Sequence, residues 1–297
     1  MSSSTKEFGS LSRTAVIGNY LPRRCGIATF TTDLCEAMAS EAPDVEVSAI
    51  AINDVPQGYR YPPTVRFELA QNRLTDYRLA ADFLNMNRFD LVCVQHEYGI
   101  FGGNAGSHIV VLLRRVRMPI ITTLHTVLKD PSDQQRLVLK ELASLSDRLV
   151  VMSDRAVSFL REIYNVPESK IAFIHHGIPD VPFVDSNYYK DQFGVEGRRV
   201  ILTFGLLSPN KGIEYMIEGL PTIIEKYPDV VYIVLGETHP HVKRTSGEEY
   251  RLGLEGRVLD LGLQDHVIFL NGFVELEKLF EVLGVADVYV TPYLNEA

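Results

Sequence analysis

Short apolar runs alternate with amphipathic stretches along almost the whole chain. The runs predict strands at Thr14–Gly18, Val45–Ile52, Leu91–Gln95, Pro119–Leu124, Arg148–Met152 and Ile171–His175. Apolar residues at helical spacing predict helices over Ala28–Ser40, Thr75–Asn87, Ser107–Arg115, Ser132–Ser146 and Asp154–Tyr164. Ser132 and Ser153 stand where N-caps are wanted. "DLVCV" and "RLVVM" are continuously apolar, as in strands covered on both faces. Strand-helix alternation implies parallel pairing through crossover helices.

The pattern breaks over Gly177–Tyr189, where "HGIPDVPFVDSNYY" has neither helical nor alternating spacing and reads as a linker. It then restarts: strands at Val200–Phe204, Val230–Leu235, Val267–Leu270 and Val288–Thr291, helices at Gly212–Lys226, Glu248–Leu261 and Leu276–Val285. Two α/β domains in tandem follow, residues 13–185 and 186–297, after a disordered lead-in at 1–12. "VADVYVTPYLNEA" reads as a buried strand and a loop with no covering helix, so the second domain is expected to be incomplete and to continue past Ala297.

Composition narrows the class. At 46% hydrophobic and 23% charged over 297 residues, the chain is an ordinary globular protein. A net charge of −9 argues against general nucleic-acid binding. Three irregularly spaced cysteines make neither a disulfide framework nor a zinc site, and suggest the reduced thiols of a cytoplasmic protein. No run reaches the ~18 apolar residues of a membrane span. The N-terminus has no apolar core and is not a secretory signal.

The candidate chemistry centres on "TFGLLSPNKGIEYMIEGL", Thr203–Leu220, where a lysine sits at a strand-to-helix turn. A P-loop needs Gly before the lysine and Ser or Thr after it, but Lys211 stands between Asn210 and Gly212. A dinucleotide fingerprint is missing from both "IGNYLP" and "FGLLSP". An ordinary surface lysine remains open on this ground alone. Ile213, Met216, Ile217 and Leu220 form a helical stripe that core packing explains.

The same stretch resembles the phosphate loop of GT-B glycosyltransferases of the retaining GT4, or group 1, family. The resemblance covers nearly the whole chain. "HTV" at His125, "IHHGIP", "VVYIVLGETHP", "VIFLNGFV" and "ADVYVTPYLNEA" fall in the family's order and approximate spacing. "QHEYGIFGG", Gln95–Gly103, resembles a bacterial subgroup. The resemblance implies two Rossmann-like domains with parallel sheets facing a cleft, acceptor on the first and nucleotide-sugar donor on the second. It implies transfer of a sugar from a nucleotide-diphosphate sugar to an acceptor hydroxyl, with retention and without a metal or other cofactor. The partners implied are the nucleotide sugar and a carbohydrate or lipid-linked acceptor, in the cytoplasm or peripherally at the inner membrane face.

The resemblance assigns catalytic roles to His125, Lys211 and Glu296. Donor binding falls to Gly26, Gly205, Asn210, Lys211, Glu237, Asn271, Gly272, Phe273 and Glu296. Lysine and helix N-terminal amides suit a leaving diphosphate chemically, because they neutralise charge where it develops. One departure stands out: Leu206 occupies a position where relatives carry arginine. Arg23 or Arg24 is the candidate to compensate. Arg23, Arg24, Glu97 and Gly103 are assigned to the acceptor side.

Plainer readings stand beside these. Gly26 also fits a turn glycine opening a helix, and Arg23 and Arg24 fit solvated surface charges. His125 also fits a histidine bonded to loop backbone. Arg114, Arg115 and Arg117 suit a phospholipid surface or an anionic acceptor, but also a helix C-terminal dipole. His96 and Glu97 lack the second histidine of H-E-x-x-H, since residue 100 is Ile, so no metal site is expected. Two other functional readings remain: a non-catalytic nucleotide-binding fragment, and a GT-B nucleotide-sugar epimerase.

Overall fold

The computed structural model describes residues 11–178, 181, 184–272, 274 and 276–294, apart from the side chains of 241, 276 and 277. Residues 1–10 of the expected lead-in, Phe273 and Glu296 lie outside them. The chain forms two compact units, one ending at Gly177 and the next beginning at Ile178. No helix among the described residues is long and apolar enough to cross a membrane.

The first unit runs β1 (Arg13–Gly18), α1 (Gly26–Glu41), β2 (Glu46–Asn53), β3 (Val65–Ala70), α2 (Leu74–Met86), β4 (Leu91–His96), α3 (His108–Leu113), β5 (Ile120–Leu124), α4 (Asp133–Leu145), β6 (Arg148–Val151), α5 (Asp154–Glu162) and β7 (Ile171–Phe173). Its seven strands are all parallel, in the order β3-β2-β1-β4-β5-β6-β7. Alternate residues of each central strand feed opposite faces. Ala15, Ile17, Ile50, Ile52, Val92 and Val94 join one buried cluster. Val16, Ala49, Ala51 and Cys93 join another, with Cys35 of α1. This two-sided burial explains the unbroken apolar runs. Ser132 closes a capping box with Gln135, and Ser153 accepts from the Ala156 amide, as expected.

The second unit runs α6 (Asn187–Lys190), β8 (Arg199–Phe204), α7 (Ile213–Lys226), β9 (Val230–Leu235), α8 (Pro240–Ser246), α9 (Glu249–Asp260), β10 (Val267–Leu270), α10 (Leu276–Val285) and β11 (Val288–Tyr289). Its parallel sheet is ordered β10-β9-β8-β11. Every residue of β9 is buried. Lys190 of α6, only 4% exposed, donates to both oxygens of Asp287 at 3.1 and 2.8 Å and to Arg198 O at 2.9 Å. Asp287, the more exposed partner, in turn accepts from the Val200 amide at 2.7 Å, so one ion pair with a buried lysine ties α6 to β8 and to the residue before β11.

Several elements differ from the expectation. β3 was not predicted: it is an edge strand whose "VRFELA" alternates charged, exposed residues with apolar ones, so no apolar run marks it. The expected linker turns helical at Asn187, where Lys190 finds its partner. α8 folds from "PHVKRTS", which has no apolar stripe. β7 ends at Phe173, so His175 and His176 lie beyond the strand. β11 is shorter than expected, ending at Tyr289 rather than Thr291, and Val288 and Tyr289 are 52% and 47% exposed.

Candidate functional site

In an open parallel sheet the strands on either side of the point where the order reverses send their carboxyl-end loops apart and leave a crevice. In the first unit that point falls between β1 and β4. Gly18 ends β1. A Cβ there would stand 2.8 Å from Thr31 Oγ1 and 3.1 Å from the Gln95 Cβ, so the glycine leaves room for the Gln95 side chain. Gln95 is fully buried, and its Oε1 lies 3.0 Å from His125 Nε2. An amide oxygen only accepts, so Nε2 carries the proton and Nδ1 keeps a lone pair. The His125 amide donates to His96 O at 3.0 Å, and the edge-on ring of Phe30 lies 4.7 Å away. Burial, with His176 nearby, lowers the His125 pKa to about 4, so the ring is neutral at pH 7.

Glu97 is drawn to His125's neighbour: it accepts from Thr126 Oγ1 and from the Tyr98 amide. Arg23 turns inward. Its guanidinium donates to Asn19 Oδ1 at 2.9 Å and Ile52 O at 3.1 Å and faces Asp54 at 3.7 Å. It therefore braces the loop between β1 and α1, while Arg24 is exposed. Gly26 opens α1, a Cβ on it would meet nothing within 4 Å, and no side chain caps the helix. Gly103 is a packing position: φ is +80°, and a Cβ would meet Ser107 Oγ at 2.5 Å.

In the second unit the order reverses between β8 and β11. Gly205 leaves β8 at φ +139°, and Gly236 leaves β9 at φ +145°. A Cβ on Gly236 would overlap Gly205 O at 1.9 Å, so the two strand ends pack backbone to backbone. Leu207 N donates to Glu237 O at 2.8 Å and continues this pairing. Asn210 and Lys211 lie in a single 3-10 turn, followed by Gly212 at φ +62°, from which α7 starts without a side-chain cap. Lys211 is half-buried, and burial lowers its pKa below the ordinary lysine value. Among the described residues no carboxylate pairs with it. Its Nζ stands 3.8 Å from the centroid of the Tyr293 ring.

Beside this turn a cavity of about 260 Å³ is lined by Glu237, Thr238, Lys243, Glu248, Arg251, Asn271 and Gly272. Glu248 accepts from Thr238 and pairs with Lys243 and Arg251 at 3.1 Å each; the Thr238 bond and these cations pull its pKa down to about 2. The second unit thus brings Gly205, Asn210 and Lys211 together at one turn, and Glu237, Asn271 and Gly272 around one cavity. Reading the sequence missed Gln95, Phe30, Tyr293 and the Glu248 group. Gln95 was visible as the first residue of "QHEYGIFGG", but nothing local shows which residue it will face across β5.

Two family models match the chain. "Glycosyltransferase Family 4" covers residues 25–180, and "Glycosyl transferases group 1" covers 185–297. Among curated proteins, a glycosyltransferase of Methanocaldococcus jannaschii is 27% identical over 229 residues, 72% of this chain and 54% of that protein. The chain thus spans about half the length of that relative. Among solved structures, sucrose-phosphate synthase from Thermosynechococcus elongatus superposes with a TM-score of 0.73 at 18% identity, covering 95% of this chain and 75% of that one. Anabaena HepE in complex with UDP and glucose gives 0.68 at 16% identity, covering 94% and 73%. These neighbours carry the GT-B fold, the layout expected from the sequence. With both units matched, one model covering more than half the residues, the chain belongs to glycosyltransferase family 4, the group 1 glycosyl transferases.

Proposed function

We propose that this chain carries out retaining transfer of a sugar from a nucleoside diphosphate sugar to an acceptor hydroxyl. The observation that carries the reading is Lys211: a half-buried ammonium, unpaired among the described residues, at the switch point of the second sheet and beside the uncapped start of α7. As the glycosidic bond breaks, negative charge grows on the leaving diphosphate. A fixed ammonium and helix N-terminal amides stabilise it most where water is partly excluded. HepE, similar in fold, was solved with UDP and glucose, which supports a nucleoside diphosphate here.

The other roles follow from chemistry. Glu237, Asn271 and Gly272 line the cavity proposed for the nucleoside. His125 is neutral, with Nδ1 free to accept from a sugar hydroxyl. A neutral ring suits an oxocarbenium-like transition state, which an imidazolium would oppose. Glu97 and Arg24 of the β1–α1 loop are proposed for the acceptor, a carbohydrate or a lipid-linked hydroxyl, and Gly26 for the donor. Glu296 is proposed for the donor sugar.

The test is calorimetry of the chain with UDP, GDP and ADP, followed by incubation with the matching sugar donors and detection of release or transfer. Lys211→Ala should weaken diphosphate binding roughly tenfold or more, the worth of a hydrogen bond to a charged group. It should slow turnover further, because that charge peaks in the transition state. If no nucleoside diphosphate binds and Lys211→Ala changes nothing, the reading fails.

A further inference from the structure

The loops leaving β8 and β11 are joined at the second unit's switch point by three separate contacts. The Leu294 amide donates to Asn210 O at 3.2 Å. Pro292 O lies where a Cβ on Gly212 would be, only 2.2 Å away, so the backbones pack directly. Lys211 Nζ sits over the face of Tyr293, 3.8 Å from the ring centroid. Beside it, the Tyr289 hydroxyl donates to Phe204 O at 3.4 Å. Nζ and the Tyr293 hydroxyl stand 3.9 and 4.0 Å from where a Gly205 Cβ would be, so both border the same bare turn.

An aromatic face attracts a cation through its quadrupole without neutralising it. A carboxylate in the same place would hold the lysine harder, but would also repel an incoming phosphate. We infer that Tyr293 is a positioning residue: its ring seats the Lys211 ammonium beside the Gly205 turn, ready to meet a diphosphate. The flexible four-carbon stem of a lysine otherwise loses much rotamer freedom on binding. Seating it in advance moves that cost out of the binding step. The inference rests on the reading of Lys211 as the diphosphate ligand, and adds the residue that holds it.

The experiment is calorimetry of the 297-residue chain with UDP, GDP, ADP and inorganic pyrophosphate. Tyr293→Phe keeps the ring and should keep the affinity. Tyr293→Ser should weaken binding roughly three- to thirtyfold, the range for a cation on an aromatic face. The same factor should appear for pyrophosphate as for the best nucleotide, since the base is not involved. In a Lys211→Met background the Tyr293→Ser loss should vanish; an undiminished loss there overturns the inference, as does no loss in the parent chain. Failure of the unsubstituted chain to bind any of these probes overturns the Lys211 reading and this one with it. Without ligand, NMR should show the Lys211 ε-methylene shifted upfield by the ring in the parent and in Tyr293→Phe, but not in Tyr293→Ser. An equal shift in all three overturns the seating directly.

Discussion

His96 is the most confined titratable residue beside the candidate site. It is fully buried, stacked against Phe101 and edge-on to Tyr98, and neither ring nitrogen has a hydrogen-bond partner among the described residues. Burial, with His125 nearby, lowers its pKa to about 3, and His125 titrates at about 4. The unfolded chain takes up both protons near 6.5, the ordinary histidine value, whereas the folded chain does so only at those lower values. Stability from this source is therefore present above pH 6.5 and is lost as pH falls, down to about 4 for His125 and about 3 for His96. Each proton steepens that loss by about 1.4 kcal/mol per pH unit. His96→Phe should fold as well as the parent at pH 7.5, since it deletes two unsatisfied buried nitrogens and keeps the ring. Its melting temperature should fall less between pH 6.5 and 5; identical slopes would show that His96 does not titrate this way. His125 was legible in the sequence as a histidine at a strand end. Its tautomer was not, because that depends on Gln95, thirty positions away in the chain and joined to it only by β4–β5 pairing.

Among the elements, the turn from β8 into α7 depends most on a single residue type. Gly212 combines φ +62° with a Cβ position 2.2 Å from Pro292 O. Gly212→Ala should destabilise the second unit by at least about 1–3 kcal/mol, the cost of a strained left-handed residue before the overlap is counted. It should also displace Lys211 and weaken diphosphate binding. Gly219, inside α7, has ordinary φ and open space around its Cβ. Gly219→Ala should stabilise by up to about 1 kcal/mol through helix propensity. Opposite signs in thermal melts check the pair; equal effects would mean that Gly212 is not a packing position. The periodicity of α7 was plain from Ile213, Ile217 and Leu220, all fully buried. β3 and α8 escaped it because half-exposed edge strands and polar helices lack a strong apolar period.

At the scale of the whole chain, each unit has a sheet and a buried core of its own, with Tyr77 and Leu84 deep in one and Tyr232 and Ile233 in the other. Heating should therefore unfold the chain in two steps. A nucleoside diphosphate should raise only the step of the second unit, by mass action on the form that binds it. Scanning calorimetry with and without UDP, GDP or ADP checks this, and a shift of the first step alone would place the nucleotide on the wrong unit. The tandem α/β organisation was determined by the chain itself, because strands buried on both faces and helices buried on one write their periods directly into the order of residues. The motif order likewise led to the family. The tertiary structure alone decided which strand ends meet. The order reversals at β1/β4 and β8/β11 bring together Gly18 with Gln95 and Lys211 with Tyr293, pairs that no local period connects. It also turned Arg23 inward and left Lys211 over a ring rather than against a carboxylate. Local periodicity records burial, whereas contacts between distant residues depend on how the strands are ordered in the sheet.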